Sequence, residues 1–532
     1  TACDTEVIAH LYAAEGVSGF KRMRGMFAVA IWDAPKQRLV LARDRVGKKP
    51  LYYYRHNNEL LFGSETKAIL AALDQAPPIH APALLDFLTF GYVAGPDAIF
   101  QGVHRLEPGT ALIVDVRAGT LTHERYWSWP DGSVQDSRPE EEVIEALRAE
   151  LDEAVRIRLR SDVPLGAFLS GGMDSAAVLA LMARHSSRPV KTFTIGFGDP
   201  AYDELAEARS TAAAFGAEHH EQIVTPDAVK VAEALAHHYD EPFADASAIP
   251  TYYVAELARK HVTVCLSGDG GDELFAGYTP YADALARVGS TSVELMRSLI
   301  GAGARMVPVH ARGKGRLSTL ALGPEGWFVW RRTVFPDYLL DAVASREVLA
   351  AGYRPERAAM DQIRAAQGPL LSRLQRWDQR HYLVDDIMVK VDRATMAHSL
   401  EARCPLLDHH VIEIAGAQPA SRHGDAQTTK RLFRKVIAPW VPADVLTRPK
   451  RGFGVPLRRW FKEGMIGWAR EILTDPRSHQ RGWTRPSEVN AMLHQHEVGS
   501  RDHAKRVWAL VCLELWARQH VDRQPAASRA CA

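Results

Sequence analysis

Apolar residues in the first 127 positions fall into short runs at 26–32, 38–43, 50–54, 60–63 and 111–115, separated by turn residues. That texture predicts short strands and turns. Residues 128–140 gather Pro, Asp, Gly and Ser with few apolar side chains and read as an interdomain linker. From 141 the period changes: Val143, Leu147, Leu151 and Val155 recur every four residues on a charged background, the stripe of an amphipathic helix. Apolar strands at 164–170, 191–197, 218–224 and 262–267 then alternate with helical patterns at 203–216 and 249–260. Such alternation implies an α/β domain with a mainly parallel sheet covered on both faces, its ligands held at the carboxyl ends of the strands. Beyond about 280 the chain becomes helical and rich in Trp and Arg. Its last helix, near 502–520, carries Val507, Leu510, Val511, Leu515 and Trp516, and 523–532 read as a disordered tail.

Two of the strands run into glycine turns that carry acids. Ala167-Phe-Leu-Ser-Gly-Gly-Met-Asp-Ser-Ala176 places Ser170, Gly171 and Gly172 between a strand and a helix that opens with Asp174 and Ser175. Glycines let backbone N–H groups converge there on an anion, where the orphan donors and the dipole of the helix favour negative charge. The G-x-x-x-x-G-K-[ST] loop is absent, and with it the lysine that serves γ-phosphoryl transfer, so pyrophosphate is the expected ligand and ATP cleavage between the α and β phosphates the expected chemistry. Ser267-Gly-Asp-Gly-Gly-Asp-Glu-Leu-Phe-Ala-Gly-Tyr278 repeats the design with Asp269, Asp272 and Glu273. The two motifs should face one cleft. Mg²⁺ takes one or two carboxylates plus phosphate oxygens, so Asp174 and Asp272 are the candidate pair for Mg-pyrophosphate. The competing reading of these acids is helix N-capping.

The charge balance changes the picture mainly by exclusion. Lys and Arg total 65 against 64 Asp and Glu, so no long-range field draws the chain to nucleic acid or an anionic membrane, and small molecules are the expected partners. The basic run from His310 to Arg316 lacks interleaved aromatics and reads as a solvated loop. Five scattered cysteines without C-x-x-C spacing argue against a disulfide framework or a zinc site and suit a reducing cytoplasm. No charged leader and no apolar segment of about eighteen residues is present, so neither secretion nor membrane spanning is expected.

With both loops placed, the chain resembles the glutamine-dependent asparagine synthetase family over nearly its whole length. The resemblance is carried by Asp4-Thr-Glu-Val, Arg24-Gly-Met-Phe-Ala, Ala42-Arg-Asp-Arg-Val-Gly-Lys-Lys-Pro-Leu-Tyr, Gly63-Ser-Glu-Thr-Lys-Ala, the loop at Ser170, Asp240-Glu-Pro-Phe, the loop at Ser267, Val389-Lys-Val-Asp-Arg, Leu400-Glu-Ala-Arg-Cys-Pro-Leu-Leu-Asp408 and Lys450-Arg-Gly-Phe-Gly. The resemblance implies an Ntn-type, layered α+β glutaminase part in 1–127 and, after the linker, a pyrophosphate-loop synthetase part in 141–522. It implies that aspartate is adenylated by Mg-ATP to β-aspartyl-AMP, which ammonia, normally drawn from glutamine, converts to asparagine. It leaves room for a homodimer.

By position, the resemblance makes Ser170, Gly171, Gly172, Asp174 and Ser175 the pyrophosphate loop, and assigns the adenosine to Leu169, Ile195, Ser267 and Gly268. Asp269 becomes the acid that supports acyl-adenylate formation and takes a proton from the attacking ammonia. Lys450 becomes the cation that neutralises charge developing on the α-phosphate. Asp4 matches the residue that binds the glutamine amino group. The family's N-terminal cysteine and the arginine and Asn-Gly-Glu segments are not found here, and neither Thr1 nor Cys3 stands in the nucleophile's register. Ammonia use without glutaminase activity is therefore the expectation for the chain as given, with apolar edges such as 26–32 exposed. The alternatives are a related ligase or amidotransferase acting on another carboxylate, a non-catalytic nucleotide-binding scaffold, and a pyrophosphate-loop enzyme acting on nucleotides or tRNA.

Overall fold

In the computed structural model, which describes residues 3–133, 135–199, 202–224, 228–449, 452 and 454–522, the first 127 residues form two antiparallel sheets. The strands are β1 (Ala28–Asp33), β2 (Arg38–Arg43), β3 (Tyr52–His56), β4 (Glu59–Gly63), β5 (Val103–Arg105), β6 (Thr110–Asp115) and β7 (Thr120–Arg125), ordered β1-β2-β6-β7 and β4-β3-β5. β1 is an edge strand, and Trp32 on it is 52% exposed. Reading this region as strands and turns alone needs correction. Helices Asp4–Glu15, Thr66–Leu70 and Ala81–Phe90 belong to it as well. Ala81–Phe90 is buried at every position from 83 to 90, so it has no polar face from which a helical period could be read. β7 is almost wholly polar and β5 is only three residues long, so neither makes an apolar run.

The second part opens with helix Glu140–Arg158, which buries Val143, Leu147, Leu151, Ala154 and Val155. The segment before it is strapped down: Trp129 is buried, the Asp136 N–H donates to the Ala417 carbonyl at 3.0 Å, and the Gln418 amide donates to the Asp136 carboxylate at 3.1 Å. Five strands then build one sheet: β8 (Leu165–Phe168), β9 (Lys191–Gly196), β10 (Glu218–Ile223), β11 (Val264–Leu266) and β12 (Glu401–Arg403). Their order is β10-β9-β8-β11-β12 and every pairing is parallel. The chain thus winds outward from β8 through β9 and β10, then returns to the other side of β8 for β11 and β12. The order reverses at the β8/β11 pair, the switch point at which such sheets open a crevice beyond their carboxyl ends. Helix Met173–His185 is buried along 175–182 behind β8, and the helical remainder closes with Ala504–His520.

The basic run also differs from expectation. Lys314 is buried and its ammonium donates to the carbonyls of Ala304 (2.6 Å) and Val307 (3.0 Å), which closes the C-terminal end of helix Thr291–Met306. A helix C-terminus leaves unpaired carbonyls and a negative dipole end, so a cation there is structural. Residues 450 and 523–532 lie outside the described residues.

Buried charge pairs hold the two parts together. The Asp44 carboxylate gathers the N–H groups of Phe27, Val46, Lys48 and Lys49, and the turn so made sends Lys48 to the carbonyls of Cys404 and Leu407 and Lys49 to Asp392. Arg105 pairs with Asp385 (2.7 Å) and Glu241 (2.8 Å), and Arg393 with Glu65 (2.8 Å) and Asp240 (2.7 Å). Asp408 receives both Arg24 and Arg158 at 2.8 Å and also caps helix His409–Gly416 through the His410 N–H. Although burial opposes its charge, Arg158 and Arg24 hold the Asp408 carboxyl down at about 2. A depressed carboxylate contributes stability that is fully present above its unfolded pKa of about 4 and is lost as pH falls toward 2, here roughly 2 kcal/mol. Replacing Asp408 with Asn should therefore lower the Tm at pH 7 while narrowing the gap from wild type as pH falls from 4 to 2, as followed by thermal melts across that range.

Candidate active site

At the switch point a cavity of about 740 Å³ opens between the loops that follow β8 and β11. Leu169, Ser170, Gly171, Gly172, Asp174, Ser175, Ile195, Ser267, Gly268, Asp269 and Asp272 all line it. The two loops approach so closely that side chains are barred from their glycines. A Cβ on Gly268 would lie 2.7 Å from the Ser175 nitrogen, and one on Gly271 would lie 2.3 Å from Asp174 Oδ1. Gly270 has φ +90°, a conformation that an L side chain rarely takes.

The loop at Ser170 turns three successive amides into the chain's own hydrogen bonds. Its N–H groups are held by oxygens of the chain itself: that of Ser170 by Ser175 Oγ (3.1 Å), that of Gly172 by Ser170 Oγ (3.2 Å) and that of Gly171 by the Glu204 carboxylate (3.2 Å). An acidic oxygen on the Gly171 amide is the kind of group this turn is shaped to take. Helix Met173–His185 has no side-chain cap, and Asp174 lies inside its first turn, so N-capping does not explain this acid. Asp272 likewise sits in the first turn of the short helix Gly271–Phe275, after Gly270.

Between the loops stands a residue that sequence reasoning did not select. Lys430, only 2% exposed, reaches Asp174 at 2.5 Å and Asp272 at 2.7 Å with one ammonium. Its backbone is in the left-handed region (φ 54°) just before helix Arg431–Ile437, a conformation costly for a lysine. A Cβ on Gly277 would collide with both Asp272 and the Lys430 stem. Both carboxylates thus converge on a single cationic point. Two oxygen donors from separate loops beside a phosphate-shaped turn match the protein's share of a Mg²⁺ shell, phosphate and water supplying the rest.

Arg448, also missed, clamps the first loop: its guanidinium donates to the carbonyls of Gly171 and Glu207 (3.2 Å each) and to Thr211 Oγ1 (2.9 Å). Pro449 and Gly452, on either side of the undescribed Lys450, line the cavity. Asp269 also lines it. Burial raises the Asp269 carboxyl above its ordinary range, with a hydrogen bond from Ser267 and the charge of Lys390 opposing. Burial likewise pushes Glu273 up to about 7, the Asp272 charge adding to it. Lys390 donates to Asp245 (2.9 Å) and Ser247 Oγ (2.8 Å), and although burial favours Asp245 uncharged, Lys390 holds its carboxyl down at about 2. A π-helical turn, Tyr382–Ile387, precedes the helix that carries Lys390 and bears Asp385 and Asp386. Asp4 stands apart from this cavity, exposed at the start of Asp4–Glu15 beside Cys3 and Thr5.

A parallel α/β sheet with an amide-lined turn and paired acids at its switch point defines a nucleotide-binding domain of the kind that handles pyrophosphate. Residues 146–518 match the asparagine synthase family and residues 1–127 the glutamine amidotransferase domain. The chain belongs to the asparagine synthase family. Among its relatives, asparagine synthetase (glutamine-hydrolyzing) 1 of Bacillus subtilis is 31% identical over 98% of this chain and 82% of its own length. A putative asparagine synthetase (glutamine-hydrolyzing) of Mycobacterium tuberculosis is 36% identical over 96% and 79%. An amidase, chyE, of Penicillium rubens is 29% identical over 86% and 73%.

Removing the ammonium of Lys430 leaves two carboxylates facing each other, a loss of about 3–5 kcal/mol when one partner of a buried pair goes. Lys430→Met should melt below wild type in metal-free buffer. Added Mg²⁺ should raise its Tm more than it raises that of wild type, measured by differential scanning calorimetry with and without the ion.

Proposed function

We propose that this chain makes asparagine from aspartate, ATP and ammonia through β-aspartyl-AMP, releasing AMP and pyrophosphate. The observation that carries the reading is the meeting of Asp174 and Asp272 on one cationic point over the amide-lined turn, with Asp269 in the same cavity. In this reading Ser170, Gly171, Gly172 and Ser175 receive the β and γ phosphates, the helix start adding its orphan N–H groups. Leu169, Ile195, Ser267 and Gly268 hold the adenosine, and Asp174 and Asp272 hold Mg²⁺. Bound there, the ion neutralises charge on the departing pyrophosphate.

A β-carboxylate oxygen of aspartate attacks the α-phosphorus, and the bond from that phosphorus to the bridging oxygen breaks, so pyrophosphate leaves with the electron pair. Lys450 is the cation for the charge that gathers on the α-phosphate. Ammonia then attacks the acyl carbon, the adduct carries a surplus proton on nitrogen, and the carbonyl–AMP bond breaks. Asp269, buried and with its affinity for a proton raised, takes that proton. The match of residues 1–127 to the glutamine amidotransferase domain, and the names of the synthetase relatives, support glutamine as the family's source of the ammonia. Among the described residues no helix is long and apolar enough to cross a membrane, and the substrates of this reading are small and polar.

Two measurements on the full chain test the reading. Pyrophosphate exchange into ATP should depend on aspartate; dependence on a different carboxylate would overturn the choice of acyl substrate. Asp269→Asn should slow amide formation from ammonium about 10²–10⁴-fold, the usual weight of a general base. An undiminished rate in that variant would remove Asp269 from the chemistry.

A further inference from the structure

Part of the cavity wall is not engaged by the ATP machinery. Asp245 and Ser247, at the entrance to helix Ala248–Arg259, contribute to it with Glu273, Tyr278, Tyr382 and Lys390. The two charged side chains Glu273 and Lys390 have unspent hydrogen-bonding capacity among the described residues. Glu273 is 1% exposed; its Oε1 accepts from the Tyr278 hydroxyl at 2.6 Å, but its Oε2 is buried with no hydrogen-bond partner. A buried carboxylate oxygen left so is costly, and native structures keep one only for a reason. Lys390 donates to Asp245 and Ser247, which uses two of the three N–H groups an ammonium has. One fixed acceptor and one fixed donor, of opposite charge and lining one cavity, complement a ligand that carries an ammonium and a carboxylate on the same carbon.

We infer that Glu273 and Lys390 form the clamp that recognises the α-amino acid end of the acyl substrate. Glu273 Oε2 receives the α-ammonium, and the third N–H of Lys390 goes to the α-carboxylate. The clamp rests on the reading of aspartate as substrate and says how that substrate is chosen. With its α-carbon groups held on this wall, only the β-carboxylate of L-aspartate is free to turn toward the α-phosphate. The Tyr278 hydroxyl positions Glu273 by occupying one oxygen and leaving the other for the ligand. Asp245, which holds Lys390 in place, is already engaged by Lys390 and by the Ser247 hydroxyl and N–H. A dicarboxylate without the amine leaves the buried Glu273 unpaired, and a β-amino acid without the α-carboxylate leaves Lys390 unspent. Sites built on such buried polar groups reject the analogue that lacks the partner far more strongly than an apolar pocket rejects a missing methylene.

The test is pyrophosphate exchange on the full chain with L-aspartate, succinate or 3-aminopropanoate as the carboxylate. Wild type should favour aspartate over either analogue by at least about 100-fold in kcat/KM. Glu273→Gln should raise the KM for aspartate about 10–100-fold, the weight of one charged hydrogen bond, leave the KM for ATP within about twofold, and narrow the preference over succinate alone. Lys390→Met should instead narrow the preference over 3-aminopropanoate. Equal use of succinate and aspartate by wild type overturns the clamp without recourse to any variant. So does an unchanged aspartate KM in Glu273→Gln, or an equal rise for aspartate and succinate, which marks Glu273 as structural. If wild-type exchange responds to another carboxylate and not to aspartate, the reading of the reaction falls, and the clamp with it.

Discussion

Two carboxylates brought together in a closed protein cleft need something positive between them, a cation or at least a shared proton. In this chain the something is the ammonium of Lys430, and the architecture around the cleft is arranged so that Asp174, Asp272 and Lys430 can meet. The strand order places the two acid-bearing turns side by side at the reversal of the sheet. Glycines at 268, 271 and 277 remove the atoms that would hold the turns apart. Lys430 bends its own backbone into a left-handed conformation to arrive between them. Buried charge clusters of this kind add little net stability compared with an apolar filling, because desolvation offsets most of the attraction. What the cluster does provide is a fixed point between the two turns, at which both acids converge.

The two parts of the chain are joined by the same physics. Segments that read in the sequence only as a family signature turn out to be joints: the 42–52 stretch folds on Asp44 and delivers Lys48 and Lys49 to the second part, while Glu65 meets Arg393. Arg24 meets Asp408 in the same manner. Each of these pairs joins a residue before 127 to one after 380, as Arg105 also reaches Glu241, and most are shielded from water, where salt screens little. The synthetase cavity is therefore built on a wall that the amino-terminal sheets help to hold.

How far the site could be read before the structure depended on the signal each residue left. β8, β9 and β11 were legible as mainly apolar runs, because a strand covered on both faces has nowhere to put polar residues; β10 proved a largely polar edge strand, and β12, the other edge, is three residues long and makes no apolar run. The acids of the two turns were legible because glycines bracket them. Ala81–Phe90 was not, since a helix buried all round carries no stripe. Lys430 and Arg448 were not either: both lie in polar, turn-rich stretches that look like solvated loops, and only the third dimension shows that each is carried into the cleft. Lys314 misled for the same reason, its cationic neighbours suggesting a surface while a helix end claimed it. Lys390 and Glu273 stood in plain view within quoted motifs, but a motif does not tell which hydrogen bonds remain unmade.

The π-helical turn at Tyr382–Ile387 gives this arrangement a mechanical character. In that turn Asp385 is gripped by Arg105 and the Gly95 amide from the amino-terminal part, and the helix that follows, Met388–Met396, carries Lys390 to the cavity wall. The same short run of backbone, 382–390, thus meets the amino-terminal part at Asp385 and the cavity at Lys390.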